Sequence, residues 1–142
     1  MDVVIADGVM DALRPFLGPR KTLIDVGAGD GRRAAALAAE LDWVTAVEPS
    51  DELRARIPDS GNMTVIAARW EDADVQAADL VVCAGAAGGA ADPAAFVAKL
   101  EEAATERVFV TLDRGVADVL AALGVRFEME GGVAHWRPGA RA

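Results

Sequence analysis

Asp25, Gly27, Gly29, Gly31 and Glu48 are the residues whose types and spacing could do chemistry. The first four lie in the run Leu-Ile-Asp-Val-Gly-Ala-Gly-Asp-Gly at positions 23–31. Three glycines at alternate positions make a loop whose backbone can lie close against a ligand, because no Cβ intervenes. The loop amides, together with those of the next helix's first turn, suit a carboxylate or phosphate. Asp25 offers a carboxylate to an amine or to loop amides, and Glu48 offers a second one that can accept from two hydroxyls at once. This is chemistry for holding a nucleotide-like cofactor.

Such a loop works only where a strand ends and a helix begins. Thr22 to Val26 has the β-branched and aliphatic content of a buried parallel strand, and the Ala-rich, Pro-free stretch from Asp30 to Leu41 predicts a helix. Val44 to Val47 reads as a second strand closing on Glu48. Asp51 to Ile57 reads as a short helix capped by Ser50 and stopped by Pro58. Thr64 to Ala67 and Leu80 to Ala84 read as strands three and four, and Gly85 to Ala91 as a flexible connection. Asp92 and Pro93 then open a helix to about Ala104, with Phe96, Val97 and Leu100 at core spacing. Val108 to Leu112 is strand five, and Val116 to Leu123 a helix closed by Gly124. Val125 to Met129 and Val133 to Trp136 form a hairpin about Glu130-Gly131-Gly132. Val3 to Leu17 predicts a leading helix with a break near Gly8. Alternating strands and helices imply an α/β fold with a mostly parallel, doubly wound sheet.

Two cofactor classes use glycine loops of this kind. The dinucleotide fingerprint Gly-x-Gly-x-x-Gly/Ala, counted from Gly27, meets Arg32 at its last position; counted from Gly29 it runs through Gly31 and Ala34 but leaves Gly27 and Ala28 unexplained. The alternating Gly-x-Gly-x-Gly behind Asp25 instead resembles the first motif of the class I S-adenosylmethionine-dependent methyltransferases. The resemblance extends over roughly residues 22 to 112. It implies that Asp25, Gly27, Ala28, Gly29 and Gly31 hold the methionine end of S-adenosylmethionine, and that Glu48 binds the ribose with Pro49 and Ser50 beside the adenosine. It also implies that Ala68, Arg69, Trp70, Glu71 and Asp72 form the adenine edge, with Trp70 and Glu71 in the site, and that Cys83 closes the strand whose exit lies under the transferable methyl. A seven-stranded sheet of order 3-2-1-4-5-7-6 is implied, with strand seven antiparallel, helices on both faces and the leading helix as a lid. Removing the Glu48 side chain is expected to cost ligand affinity and little stability.

Composition narrows the partners. At 142 residues the chain reads as one domain, residues 1–142, near the minimum length for such a fold. Hydrophobic residues reach 53%, yet no apolar stretch approaches the roughly 20 residues of a membrane span, and no basic leader is evident, so a cytoplasmic location is expected. One cysteine and one histidine leave almost no ligands for a metal. The net charge of −9 argues against nucleic acid, which needs basic surface. A small molecule is the expected methyl acceptor, and the oligomeric state stays open. Trp43 and Trp136 are assigned to packing. His135 lies in a strand leading away from the ligand edge, and Asp113 follows strand five as acids commonly do, so no catalytic residue is identified. Gly85-Ala86-Ala87-Gly88-Gly89 carries no substrate-reading side chain, which keeps a second possibility in view: a methyltransferase-like domain that binds the cofactor, or serves as a scaffold, without turnover. Use of the Gly29 frame by a nicotinamide oxidoreductase is the third.

Overall fold

The computed structural model describes residues 8–85 and 87–142. Its elements are α1 (Gly8–Leu13), β1 (Thr22–Val26), α2 (Arg32–Ala38), β2 (Trp43–Val47), α3 (Asp51–Arg54), β3 (Met63–Ile66), β4 (Ala78–Cys83), α4 (Pro93–Ala103), β5 (Ala104–Thr111), α5 (Arg114–Ala122), β6 (Glu128–Glu130) and β7 (Val133–Trp136). The seven strands form one sheet of order β3-β2-β1-β4-β5-β7-β6, the order expected. Pairings from β3 to β5 are parallel, and β7 runs antiparallel to both β5 and β6. The part of the predicted leading helix at residues 3–7 lies outside the described residues.

The core lies in two layers, one on each face of the sheet. Alternate residues of β1 point to opposite faces. Leu23 joins Val9, Leu13, Leu37 and Phe109 under α1 and α2. Ile24 and Val26 join Val81, Phe96, Leu100, Val116 and Leu120 under α4 and α5. The central strands are buried on both faces, hence their near-continuous apolar sequence.

Several boundaries differ from the sequence expectation, each for a local reason. Helix α2 starts at Arg32 because Gly31 takes φ +82°, and the chain leaves the helix after Ala38. Helix α3 is one turn, Asp51–Arg54, although Ser50 caps it as expected by accepting from Leu53 N. Strand β5 begins at Ala104, directly where α4 ends, because Ala104 pairs with Ala78. Asp113 accepts from Val116 N and so starts α5 at Arg114. Strand β6 spans only Glu128–Glu130; Val125 is drawn instead into a bridge with Arg141. Part of the glycine-rich stretch after β4 coils into a 3-10 turn, Ala87–Gly89. Among the described residues no helix is long and apolar enough to cross a membrane.

Asp79 ties three central strands together at the edge where β1 and β4 begin. Its carboxylate accepts from Thr22 N at 2.9 Å, Thr22 Oγ1 at 3.2 Å and Thr105 Oγ1 at 3.4 Å. Asp79→Ala leaves the Thr22 amide without its acceptor and should lower stability by about 1–3 kcal/mol in denaturant titration. An unchanged midpoint would show that these contacts contribute nothing.

Candidate functional site

Register decides which residues share the opposite edge. Val26 pairs with both Val47 and Cys83, so the next residues, Gly27, Glu48 and Ala84, leave the sheet side by side. This is the crevice between β1 and β4, where the direction of chain connection reverses, and where open α/β sheets bind ligands.

The loop itself contains a surprise. Gly27 N and Ala28 N both donate to Val47 O, at 2.8 and 3.1 Å, and Gly29 N donates to Glu48 Oε1 at 2.8 Å. Gly31 N donates to Ala28 O and Arg32 N to Asp30 Oδ1. Five of the amides expected to face an anion, those of Gly27, Ala28, Gly29, Gly31 and Arg32, are therefore taken up within the protein. What remains open is space: a Cβ built on Gly29 would meet nothing within 4 Å, whereas one on Gly31 would lie 2.8 Å from Ile57. Gly31 packs against the protein and Gly29 faces open space.

Glu48 is buried and turned inward. Oε1 holds Gly29 N, and Oε2 holds Ser50 N at 2.9 Å. Its carbonyl accepts from Arg54 Nη1 at 2.9 Å. The expectation of little stability loss on removing Glu48 is overturned, because its side chain anchors two backbone amides. A carboxylate has about four acceptor positions. Two stay available to hydroxyls, in an orientation fixed in advance.

Asp25 is wholly buried, and neither carboxylate oxygen has a hydrogen-bond partner among the described residues. By alternation it shares the α1/α2 face with Leu23. Burial raises its pKa from the ordinary 3.8 to about 7; the Arg33 guanidinium opposes that rise, and the Glu48 charge adds to it.

Beside the loop, on the α4 face, lies a cavity of about 290 Å³ lined by Val26, Gly27, Val47, Pro49, Arg69, Trp70, Glu71, Gly89, Ala90 and Phe96. Four of the expected site residues, Gly27, Pro49, Trp70 and Glu71, thus share one wall. Glu48 sits in the chain between two lining residues, Val47 and Pro49, but neither it nor Gly29 is itself in the lining. Cys83 is not in this lining; its side chain is fully buried in the α4-side core. Arg69, from the stretch expected at the adenine edge, also lines the cavity, as does Phe96, which sequence reasoning had not assigned to it. The signal for Phe96 was the helical spacing that had marked it only as core.

Other polar residues are accounted for elsewhere. His135 stacks on Phe109 with ring centroids 5.3 Å apart, and its Nδ1 lies 3.1 Å from Arg107 Nη1. Burial, then the Arg107 charge, lowers its pKa. Among the described residues no group of three or more His, Cys, Asp or Glu could hold a metal.

A family model described as a methyltransferase domain matches residues 24–107. No curated protein matches the chain. A solved TehB-like SAM-dependent methyltransferase from Corynebacterium glutamicum is similar over 92% of this chain and 87% of its own, at 17% identity and a TM-score of 0.74. Magnesium protoporphyrin IX methyltransferase from Synechocystis, solved with bound SAM, is similar over 82% of this chain and 69% of its own, at 15% identity and a TM-score of 0.67. The YcgJ protein of Bacillus subtilis matches 72% of this chain at 16% identity and a TM-score of 0.64, and the chain covers about half of it, 49%. These likenesses are of fold.

The Asp25 carboxyl generates a prediction with a definite sign. Between about pH 4 and about pH 7 the folded chain keeps a proton that the unfolded chain has released, so stability falls as pH rises through that interval and is level above it. Asp25→Asn removes the buried charge. It should be more stable than the parent at pH 8, by on the order of 1–4 kcal/mol, with the gain vanishing near pH 4. Thermal melts across pH test this, and a gain independent of pH would rule out the charge as its cause.

Proposed function

The chain belongs to the methyltransferase-domain family, and from that premise we propose that it binds S-adenosylmethionine along the β1–β4 edge and transfers the methyl group to a small-molecule acceptor. One observation carries the choice of cofactor. The amides of Gly27, Ala28, Gly29, Gly31 and Arg32 are spent on Val47, Ala28, Asp30 and Glu48, while a wholly buried carboxylate beside them has no hydrogen-bond donor among the described residues. A dinucleotide needs those amides for its pyrophosphate. S-adenosylmethionine has no phosphate and carries an ammonium and a sulfonium, which suit Asp25. The fit therefore favours it over the nicotinamide alternative.

In this reading Glu48 accepts from the ribose hydroxyls with its remaining lone pairs. Pro49, Trp70, Glu71, Arg69 and Phe96 wall the base, and Gly27, Ala28 and Gly29 give the methionine portion its bed of bare backbone. Asp25 supplies negative potential to the ammonium end. Cys83 contributes through its backbone at the β4 exit. The cofactor supplies an electrophilic methyl; the protein's share is alignment and exclusion of water. The side chains from Ala84 to Gly89 include no proton-transfer group. That suits an acceptor already nucleophilic, and it is also the observation favouring the second reading, a cofactor-binding domain without turnover. Detection of S-adenosylhomocysteine release with a panel of small amines, thiols and phenols separates the two.

Calorimetry with S-adenosylhomocysteine and with NAD tests the cofactor. Glu48→Gln should weaken S-adenosylhomocysteine by about 1.5–3 kcal/mol, the range for a hydrogen bond to a charged group. Gly29→Val should abolish binding, because its branched side chain fills the crevice and φ is +62° there. Normal affinity in both variants, or tight binding of NAD alone, would refute the assignment.

A further inference from the structure

On the far side of Trp70 from the cavity, Lys99 does something unusual for a lysine in an acidic chain. It lines a groove that also contains Asp74 and Glu102. Among the described residues it forms no ion pair with either. Its Nζ donates instead to two backbone carbonyls, those of Trp70 and of Ala73, the latter at 2.6 Å. The same ammonium sits 4.7 Å from the centre of the Trp70 ring. These two carbonyls bracket the 3-10 turn Trp70–Asp72. The turn is fastened to α4 a second time, because Trp70 Nε1 donates to Phe96 O at 3.3 Å, one helical turn before Lys99.

We propose that Lys99 is a positioning residue for the base of the cofactor: it pins the Trp70–Asp72 turn to α4, so that Trp70, Glu71 and the turn's backbone present a fixed wall to the adenine. The argument is geometric. Strand β3 ends at Ile66, and the chain then crosses the cavity mouth in a single short turn. A turn of this length has little internal hydrogen bonding to hold it; here Asp72 N reaches Arg69 O and Ala73 N reaches Trp70 O. An ammonium with three donors can bridge two carbonyls and still rest on an aromatic face. An aliphatic side chain cannot. Lys99 does not line the cavity, so its effect on a ligand passes through the turn.

This inference rests on the cofactor reading above. The test compares S-adenosylhomocysteine with S-inosylhomocysteine, which differs only at the base edge, by calorimetry on the full chain. Lys99→Met keeps the aliphatic stem and removes the donors. It should weaken S-adenosylhomocysteine about tenfold and shrink the preference over the inosine analogue, while Lys99→Arg restores both. Equal loss for both ligands would reduce Lys99 to a structural contact and overturn the proposal. So would wild-type affinity and preference in Lys99→Met, which would leave the cofactor assignment standing. A parent chain that binds neither ligand would refute the cofactor reading and this inference with it. If Lys99→Met fails to unfold cooperatively, Lys99→Leu, which likewise has no donor, serves for the same comparison.

Discussion

The bond from Gly29 N to Glu48 Oε1 joins a loop leaving one strand to an acid leaving the next, and the geometry of the crevice follows from it. Parallel register brings the two together, since Val26 opposite Val47 makes Gly27 and Glu48 neighbours at the sheet edge. Two further bonds into Val47 O fasten the start of the loop. A carboxylate that anchors backbone on one side can offer its other lone pairs to a ligand without reorganising. In the proposed reading the same side chain serves folding and recognition, and its position is dictated by the sheet rather than by a loop.

Much of this architecture was legible from pattern. The strand at Thr22–Val26 and the one at Val133–Trp136 have the bounds their apolar content implied. The strand order follows from alternation of elements and from the resemblance carried by the glycine motif. Short-range caps were also readable, as Ser50 and Asp92 show. What could not be read was any partner fixed by long-range contact. Nothing local in the sequence says that Gly29 donates to Glu48, that Lys99 reaches carbonyls near residue 70, or that Phe96 is a cavity wall as well as core. The ends of α2 and α3 were overestimated for a similar reason. Helical propensity persists beyond the point where packing stops rewarding it.

The two acids of the site divide their labour by environment. Glu48 holds two backbone donors; Asp25, one strand away, is buried and accepts no hydrogen bond among the described residues. A residue that weakens its own fold near neutral pH is out of place in a structure otherwise consistent at every level, and such local inconsistencies mark functional positions. The energetic logic is direct. An unpartnered buried charge raises the free energy of the apoprotein, and a cation that reaches its field lowers it by more than it would at a carboxylate already paired. In the proposed reading, part of the stability that the buried carboxyl gives up returns as affinity for the ammonium end. The five loop amides already bonded within the protein offer an anion less. Preference for a positively charged guest then follows from which hydrogen bonds the fold completes and which it leaves open.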